Sequence, residues 1–222
     1  MNIAKVTLCT DQLKKLKKFY SEVLGFEVEK ESSDELILKI GSSKLAFKPC
    51  ALNKTPVYHF AFTIPGTLFK SAKEWIQSKV PLNTEGGDDE VYFEFLNARS
   101  FYFYDSAGNV VEFIGRKSCI SRKEDFSIDD VINISEINLT VNDVLVEGKK
   151  LLNQGFKPLD NKPLNEKGLN FMGDFKGYFL LGPVNRTWFF SNKVSGAFPV
   201  TVELSQGITV RAHSNGTISF ES

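Results

Sequence analysis

The segment Phe101–Phe113 constrains the fold of this chain more than any other, because it predicts two strands joined by a tight turn. Gly108 and Asn109 supply the turn, since both residue types favour the backbone conformations that a reversal requires. Side chains on the second strand alternate between the two faces of a sheet, which places Glu112 among apolar neighbours. Such an environment is unusual for a solvated surface acid, so Glu112 is a candidate site residue.

An earlier predicted strand, Val57–Ile64, shows the same alternation, with bulky apolar side chains on one face and small or polar ones on the other. His59 lies on the second face. A histidine and a glutamate that each occupy the less apolar face of a strand are the minimal set for a metal site or an acid–base pair. The alternative is a buried His59 that is hydrogen-bonded within the sheet and has no ligand role.

Composition restricts the class of protein. The chain has 222 residues, enough for one large domain or two small ones, and its 27 Lys and Arg residues equal its 27 Asp and Glu residues. It therefore lacks the bulk positive charge of a nucleic-acid-binding protein, and we expect no nucleic-acid partner. The sequence has no apolar signal core, no run of membrane-spanning length and no metal-knuckle cysteine spacing. We therefore predict a cytoplasmic protein with reduced thiols and no membrane partner.

The chain repeats a strand followed by a helix. The predicted strand and helix pairs are Ile3–Thr10 with Gln12–Leu24, Val57–Ile64 with Thr67–Ser78, and Ile134–Val141 with Asp143–Gln154. Further strand-like segments follow the first two helices, so these units have the order βαβββ. The dipeptides Gly25-Phe26 and Gly155-Phe156 follow the first and third helices, which supports a true internal repeat.

The C-terminal half does not complete a fourth unit. From Gly168 onward the sequence predicts strands without another helix, among them Thr187–Phe190, and an extra strand is predicted in the second unit at Val80–Asn83. We expect the region after Asp130 to complete a sheet or an interface without forming a second catalytic centre. The charged stretch before it suggests a division into residues 1–117 and residues 130–222.

Two motifs resemble those of the vicinal oxygen chelate superfamily, the group of glyoxalases, bleomycin-resistance proteins and extradiol ring-cleaving dioxygenases. The motifs are the segment Phe19–Phe26, which ends in Gly-Phe, and the segment Asp105–Glu112, which contains the turn and the candidate glutamate. The resemblance implies an α+β fold in which repeated βαβββ units form curved mixed sheets around a cavity, with an incomplete C-terminal repeat. It also implies that the first two units pair edge to edge.

In the superfamily that this chain resembles, a divalent metal is bound by the first strand of each paired unit and by a glutamate on the last strand. By that resemblance the positions are Lys5, His59 and Glu112, and the metal would be Zn, Fe or Mn. His59 and Glu112 are suitable ligands, and Glu112 is also a candidate catalytic base, but a lysine ammonium has no lone pair to donate. In the alternative arrangement, Lys5 pairs with Glu112 in an internal salt bridge that replaces the metal.

Alternation adds three candidate substrate-binding residues to Lys5. Tyr102 and Tyr104 share one face of their strand, and Thr7 follows Lys5 on its face, the alternative being ordinary core packing. Glu136 holds the equivalent first-strand position in the third repeat. No turn and glutamate motif accompanies it, so it is not assigned to the site.

These residues suggest three functions. The first is a metal-dependent lyase or extradiol-type dioxygenase that binds two adjacent oxygens of a small organic molecule, as the resemblance implies. The second is a metal-free protein of the bleomycin-resistance type that binds or sequesters a small molecule in an aromatic cavity. The third is a structural role in which the C-terminal strands pack against a second copy in a homodimer.

Overall fold

A computed structural model describes residues 1–52 and 54–221 of the chain. Its helices are α1 (Leu13–Lys17), which continues as a π-helical segment (Lys18–Val23), α2 (Phe69–Gln77) and α3 (Val144–Asn153). Its strands are β1 (Ile3–Thr10), β2 (Val28–Glu31), β3 (Leu36–Ile40), β4 (Ser43–Pro49), β5 (His59–Pro65), β6 (Val91–Phe93), β7 (Ala98–Tyr104), β8 (Val110–Arg116), β9 (Asn133–Val141), β10 (Asn170–Asp174), β11 (Gly177–Pro183), β12 (Val200–Leu204), β13 (Thr209–Ala212) and β14 (Ile218–Glu221). None of the described helices is long and apolar enough to cross a membrane.

The strands form two mixed sheets of seven strands each. The first sheet has the order β14-β13-β12-β1-β4-β3-β2, and the second has the order β10-β11-β9-β5-β8-β7-β6. Within the first two units the last strand pairs in parallel with the first, β4 with β1 and β8 with β5. The predicted α+β class, built from repeated βαβββ units, is confirmed.

The pairing of the units differs from the prediction. The first unit pairs with the C-terminal strands through β1 and β12, and the second unit pairs with the third through β5 and β9, both antiparallel. The expected pairing of the first two units is therefore wrong. Each first strand has one open edge that needs a partner, and β9 and β12 supply these partners.

The region after Asp130 completes both sheets, as expected, because β9–β11 and β12–β14 join different ones. Each sheet therefore takes strands from both sides of residues 117–130. The predicted division into residues 1–117 and 130–222 does not follow the sheets.

Two of the predicted strands are wrong. Segments Val80–Asn83 and Thr187–Phe190 each contain only an isolated bridge, at Leu82 and at Thr187. The backbone at Phe190 has a φ of 50°, which ends any extended run. The aromatic side chains of residues 188–190 pack instead over the second sheet, as described below.

The two faces of β1 differ in burial, and the buried face belongs to the apolar core. Val6 and Leu8 are fully buried, whereas Lys5 and Thr7 lie on the partly exposed opposite face. Tyr20, on the π-helical segment, belongs to the same continuous apolar core, which includes residues of both sheets. Burial of one such large apolar side chain contributes about 1.5–3 kcal/mol to stability.

A buried hydrogen-bond network shapes the turn before β8. The Asp105 carboxylate accepts from the backbone N–H groups of Ala107 and Asn109 at 2.9 and 3.0 Å, from Asn109 Nδ2 at 2.8 Å and from the Tyr20 hydroxyl at 2.9 Å. Burial raises the pKa of Asp105, and these hydrogen bonds oppose that shift because they favour the charged form. The network fixes the start of β8, the strand that carries Glu112.

The two sheets meet at the turn between β3 and β4. The Ser42 N–H donates to the Ile132 carbonyl at 2.9 Å, and the Ser43 hydroxyl accepts from the Ile134 N–H at 3.1 Å. Gly41 has a φ of 56°, and a Cβ at this position would collide with the Ile132 carbonyl oxygen. Backbone of the first sheet therefore lies directly against the start of β9 in the second.

We expect Gly41→Ala to lower the free energy of unfolding by at least about 2 kcal/mol, because it adds a steric clash to left-handed strain. Gly86→Ala is the matched control, since Gly86 has a φ of 63° and open space around it. That control should cost about 1 kcal/mol, from backbone strain alone. Urea denaturation of both variants measures the difference, and equal costs would contradict the close contact between the sheets.

Candidate functional site

Three buried ionisable side chains converge at the centre of the second sheet. β5 lies between β8 and β9, and Ala61 on β5 is paired with Glu112 on one side and Glu136 on the other. His59 precedes Ala61 by two residues, so it projects from the same face. Because Ala61 carries only a methyl group, the space above it is open to the three larger side chains.

His59 and Glu112 face a common cavity, as predicted. His59 Nε2 lies 3.4 Å from Glu112 Oε2, and one ligand atom from each of His59, Glu112 and Glu136 lies within 4.8 Å of the others. His59 Nδ1 is 3.0 Å from the Val110 carbonyl oxygen. A carbonyl can only accept, so Nδ1 carries a hydrogen, and when the ring is neutral Nε2 presents its lone pair to Glu112. Two acceptors that face each other need a cation or a proton between them.

Glu136 is held by two further residues that the sequence analysis did not identify. The Tyr178 hydroxyl donates to its carboxylate, and Arg116 Nη2 lies 3.6 Å from Glu136 Oε1. Burial, reinforced by the charge of Glu112, raises the pKa of Glu136 to about 8, while Arg116 opposes the shift. Arg116 lies four residues after Glu112 on β8. Because alternate residues of a strand share a face, the alternation that includes Glu112 also places Arg116 on that face.

Glu136 corrects the sequence-based assignment of the site. The third repeat lacks a companion turn and glutamate motif, so the sequence alone does not assign Glu136 to the site, yet Glu136 holds the first-strand position that Lys5 and His59 hold in the first two repeats. This first-strand position is the sequence feature that could have identified Glu136. Glu136 joins the candidate site because β9, rather than β1, pairs with β5.

Lys5 and Thr7 lie away from this cavity, on β1 of the first sheet. The Lys5 ammonium is 3.5 Å from Glu35 and 3.7 Å from Glu203. The predicted contact between Lys5 and Glu112 is therefore wrong, because the first unit pairs with β12 and not with the second unit. The partly exposed Lys5 ammonium is paired with carboxylates other than that of Glu112.

The cavity measures about 290 Å³ and is largely apolar. Its aromatic and aliphatic lining includes Phe93, Leu96, Tyr102, Phe171, Leu180 and Trp188. Of the predicted substrate-binding residues, Tyr102 lies in the cavity, and burial together with the charge of Glu112 raises the pKa of its phenol. Tyr104 is not among the residues that line the cavity, and its hydroxyl donates to Asn192 Oδ1 at 3.1 Å.

Residues 184–199, the covering segment between β11 and β12, close one side of the cavity. The Trp188 ring lies 5.2 Å from the His59 ring, and Phe190 stacks on Tyr102 at 5.0 Å with an interplanar angle of 12°. The Phe190 N–H donates to Glu85 at 2.6 Å, which fastens the segment to the second unit. The covering segment thus brings aromatic side chains directly over the ionisable residues.

Leu180 holds the position in the third unit that corresponds to Glu112 in the second unit. In the second unit, Ala61 on the first strand is paired with Glu112 on the last strand. In the third unit, the equivalent first-strand residue Asn138 is paired with Leu180. The second sheet therefore places three side chains that could bind a metal ion and one apolar side chain around the same point.

The chain belongs to the glyoxalase/bleomycin resistance protein/dioxygenase superfamily, whose family model matches residues 2–113. A second family model, that of the toxoflavin-degrading enzyme, matches residues 134–186. The first match includes His59 and Glu112, and the second includes Glu136. The superfamily inferred from the two sequence motifs is confirmed.

Several solved structures are similar to this chain over half or more of its length. A putative dioxygenase from Bacillus subtilis is 15% identical, covers 99% of this chain and 84% of its own, and has a TM-score of 0.59. Lactoylglutathione lyase from Agrobacterium tumefaciens is 19% identical over 51% of this chain and 92% of its own, with a TM-score of 0.42. The fosfomycin resistance protein FosX from Listeria monocytogenes, in complex with Mn(II), is 22% identical over 53% of this chain and 90% of its own, with a TM-score of 0.41. A comparison with curated proteins gives no match.

We expect Arg116→Met to destabilise the protein by about 3 kcal/mol at pH 9, because it leaves the ionised Glu136 buried without a cation. Glu136 is ionised in the native state only above its raised pKa of about 8, so the cost should be smaller at pH 6. Urea denaturation at both pH values measures it.

The matched control is Arg211→Met, which breaks an exposed pair with Glu221 at 2.9 Å and should cost less than about 1 kcal/mol. The double variant Arg116→Met/Glu136→Gln should recover part of the loss. A cost for Arg116→Met no larger than that of the control would rule out the buried pair as a stabilising contact.

Proposed function

We propose that this protein is an enzyme that binds a divalent metal ion through His59, Glu112 and Glu136 and uses it to bind two adjacent oxygens of a small organic substrate. The observation that carries the proposal is the convergence of three buried ligand atoms within 4.8 Å. His59 is oriented as metal-binding histidines are, because its Nδ1–H is directed at the Val110 carbonyl.

The three residues fit a divalent ion. Donor atoms that share one ion at roughly 2.1 Å each lie at most about 4.2 Å apart, so small side-chain rotations bring all three into range. Two carboxylates offset the charge of the ion, and the mixed oxygen and nitrogen donor set suits Mn, Fe or Zn. An ion would also remove the repulsion between His59 Nε2 and Glu112.

Leu180 makes the site an open one. Three protein ligands leave coordination positions for water or substrate, which is typical of catalytic rather than structural metal sites. When bound, such an ion supplies Lewis acid chemistry to substrate oxygens, as a lyase or an extradiol-type dioxygenase requires. Glu112 is proposed as a ligand first, with a role as base second.

The surroundings of Glu136 favour a second candidate function, metal-free binding of a small molecule. Arg116 and Tyr178 already hold the Glu136 carboxylate without an ion. A protein of this type would use the aromatic cavity alone. A cytoplasmic location and a homodimer stay predictions under either proposal.

We expect metal-free protein to bind about one equivalent of Mn(II) in isothermal titration calorimetry. His59→Ala, Glu112→Gln and Glu136→Gln should each weaken binding at least about tenfold, because each removes a ligand. Glu35→Gln is the matched control, since Glu35 is a buried glutamate outside the cavity, and it should leave Mn(II) affinity unchanged. Failure of Mn(II), Zn(II) and Fe(II) to bind the native protein would favour metal-free binding.

Mn(II) affinity should also rise with pH. The pKa of Glu136 is raised to about 8, so below that pH the ion must displace a proton, and affinity should increase up to about tenfold per pH unit before it levels off. Titrations from about pH 6.5 to pH 8.5 test this. Glu136→Gln should flatten the upper part of the profile, and Glu35→Gln should retain it. A native profile that is flat between pH 7 and pH 8 would contradict proton displacement from Glu136.

A further inference from the structure

Two residues of the covering segment that line the cavity carry buried hydrogen-bond donors without a partner among the described residues. Arg186 and Trp188 both line it, and Trp188 is only 3% exposed. Trp188 Nε1 and Arg186 Nη1 are buried, and neither has a hydrogen-bond partner among the described residues. Buried donors are almost always paired in native proteins, so this pair of donors points to an acceptor that the chain does not supply.

Arg186 is the charged member of the pair. No acid among the described residues forms a salt bridge with it, and its guanidinium lies 5.7 Å from the centre of the Trp188 ring. Burial without a carboxylate partner lowers the pKa of Arg186. By contrast, Arg116 Nη2 contacts Glu136 and Tyr178. The acceptor that best suits Arg186 is therefore an anionic oxygen group on a bound ligand.

The charge of the cavity favours the same ligand. Glu112 and Glu136 supply at most two negative charges, which a divalent ion offsets, and Arg116 and Arg186 then leave the cavity positive. Opposite charge in a water-poor cavity strengthens binding of an anion.

The shape of the cavity restricts the rest of the ligand. Phe93, Tyr102, Phe171, Trp188 and Phe189 contribute aromatic rings to a space of about 290 Å³. Rings of this kind stack on flat apolar molecules. A single planar ring with polar substituents matches both the lining and the size.

We propose that Arg186 and Trp188 form a subsite that binds an anionic oxygen group, such as a carboxylate, on a planar aromatic substrate. This proposal deepens the proposed function and rests on it for the two adjacent oxygens of the substrate, which would approach His59, Glu112 and Glu136. The covering segment would then determine which substrates the cavity accepts.

The test compares two probes that differ only in charge, 3,4-dihydroxybenzoate and 3,4-dihydroxybenzamide. Calorimetric titrations without oxygen should show at least about a tenfold preference of the native protein for the benzoate, from one charge-assisted interaction. Arg186→Gln should reduce this preference to within about twofold and leave the affinity for the benzamide unchanged. Arg186→Lys, which keeps the charge, should restore part of the preference.

Trp188→Phe keeps an aromatic ring but removes the N–H donor, so it should weaken benzoate binding about threefold to tenfold. The matched control is Arg122→Gln, which removes an exposed arginine and should retain the native preference. Absence of benzoate binding, equal affinity for both probes, or a preference that survives in Arg186→Gln would overturn the subsite.

Each titration is run on metal-free and on Mn(II)-treated protein. Mn(II) affinity, measured separately, should be the same in Arg186→Gln and in the native protein. A protein that binds no metal but still prefers the benzoate through Arg186 would sink the proposed metal function and keep the subsite. A protein that binds Mn(II) without a preference would do the reverse.

Discussion

The candidate site depends on one interaction, the antiparallel pairing of β5 with β9. That pairing sets Glu136 opposite Ala61, while the parallel pairing of β5 with β8 sets Glu112 against the same residue from the other side. Backbone hydrogen bonds between the strands fix this register. A shift of one strand by one residue would move all of its side chains to the opposite face of the sheet. The register therefore holds two acids and a histidine close together and away from water, although these side chains would not stay together without the sheet.

Burial of these acids determines their chemistry. A carboxylate away from water is stable only with a proton, a cation or hydrogen bonds. Glu136 has all three within reach: a pKa raised to about 8, the Arg116 guanidinium at 3.6 Å and the Tyr178 hydroxyl. The site can therefore exist without an ion and still compete for one, which is why the metal-bound and the metal-free functions are close alternatives for this chain.

The first sheet shows what the same scaffold becomes without such a site. Where the second sheet has His59, the first has Lys5, whose ammonium lies near Glu35 and Glu203 at a partly exposed face. Glu35 is paired with Lys30 at 2.8 Å as well, and these contacts lower the pKa of Glu35, the opposite of the shift at Glu136. The direction of each shift follows from whether nearby cations outweigh burial.

Much of the fold was predictable because its signals are local. The alternation on β5 and β8, the Gly108-Asn109 turn and the repeated strand and helix order each depend on neighbouring residues, and they placed His59 and Glu112 on one face correctly. The predictions were wrong where a local sequence pattern is compatible with two different structures. The predicted strand at residues 187–190 ends in three aromatic residues, which suit a buried strand, yet these residues belong to the covering segment over His59 and Tyr102.

The sequence by itself therefore determined the repeated units, their α+β class, the superfamily and the placement of His59 and Glu112 on a common cavity. Only the tertiary structure decided which open strand edges pair, since every unit offers a similar edge and local sequence does not rank its partners. That choice replaced Lys5 with Glu136 beside His59 and Glu112. It also brought Arg116, Arg186 and Trp188 to the same cavity from distant parts of the chain, because the environment of a buried side chain is set by contacts far from it in sequence.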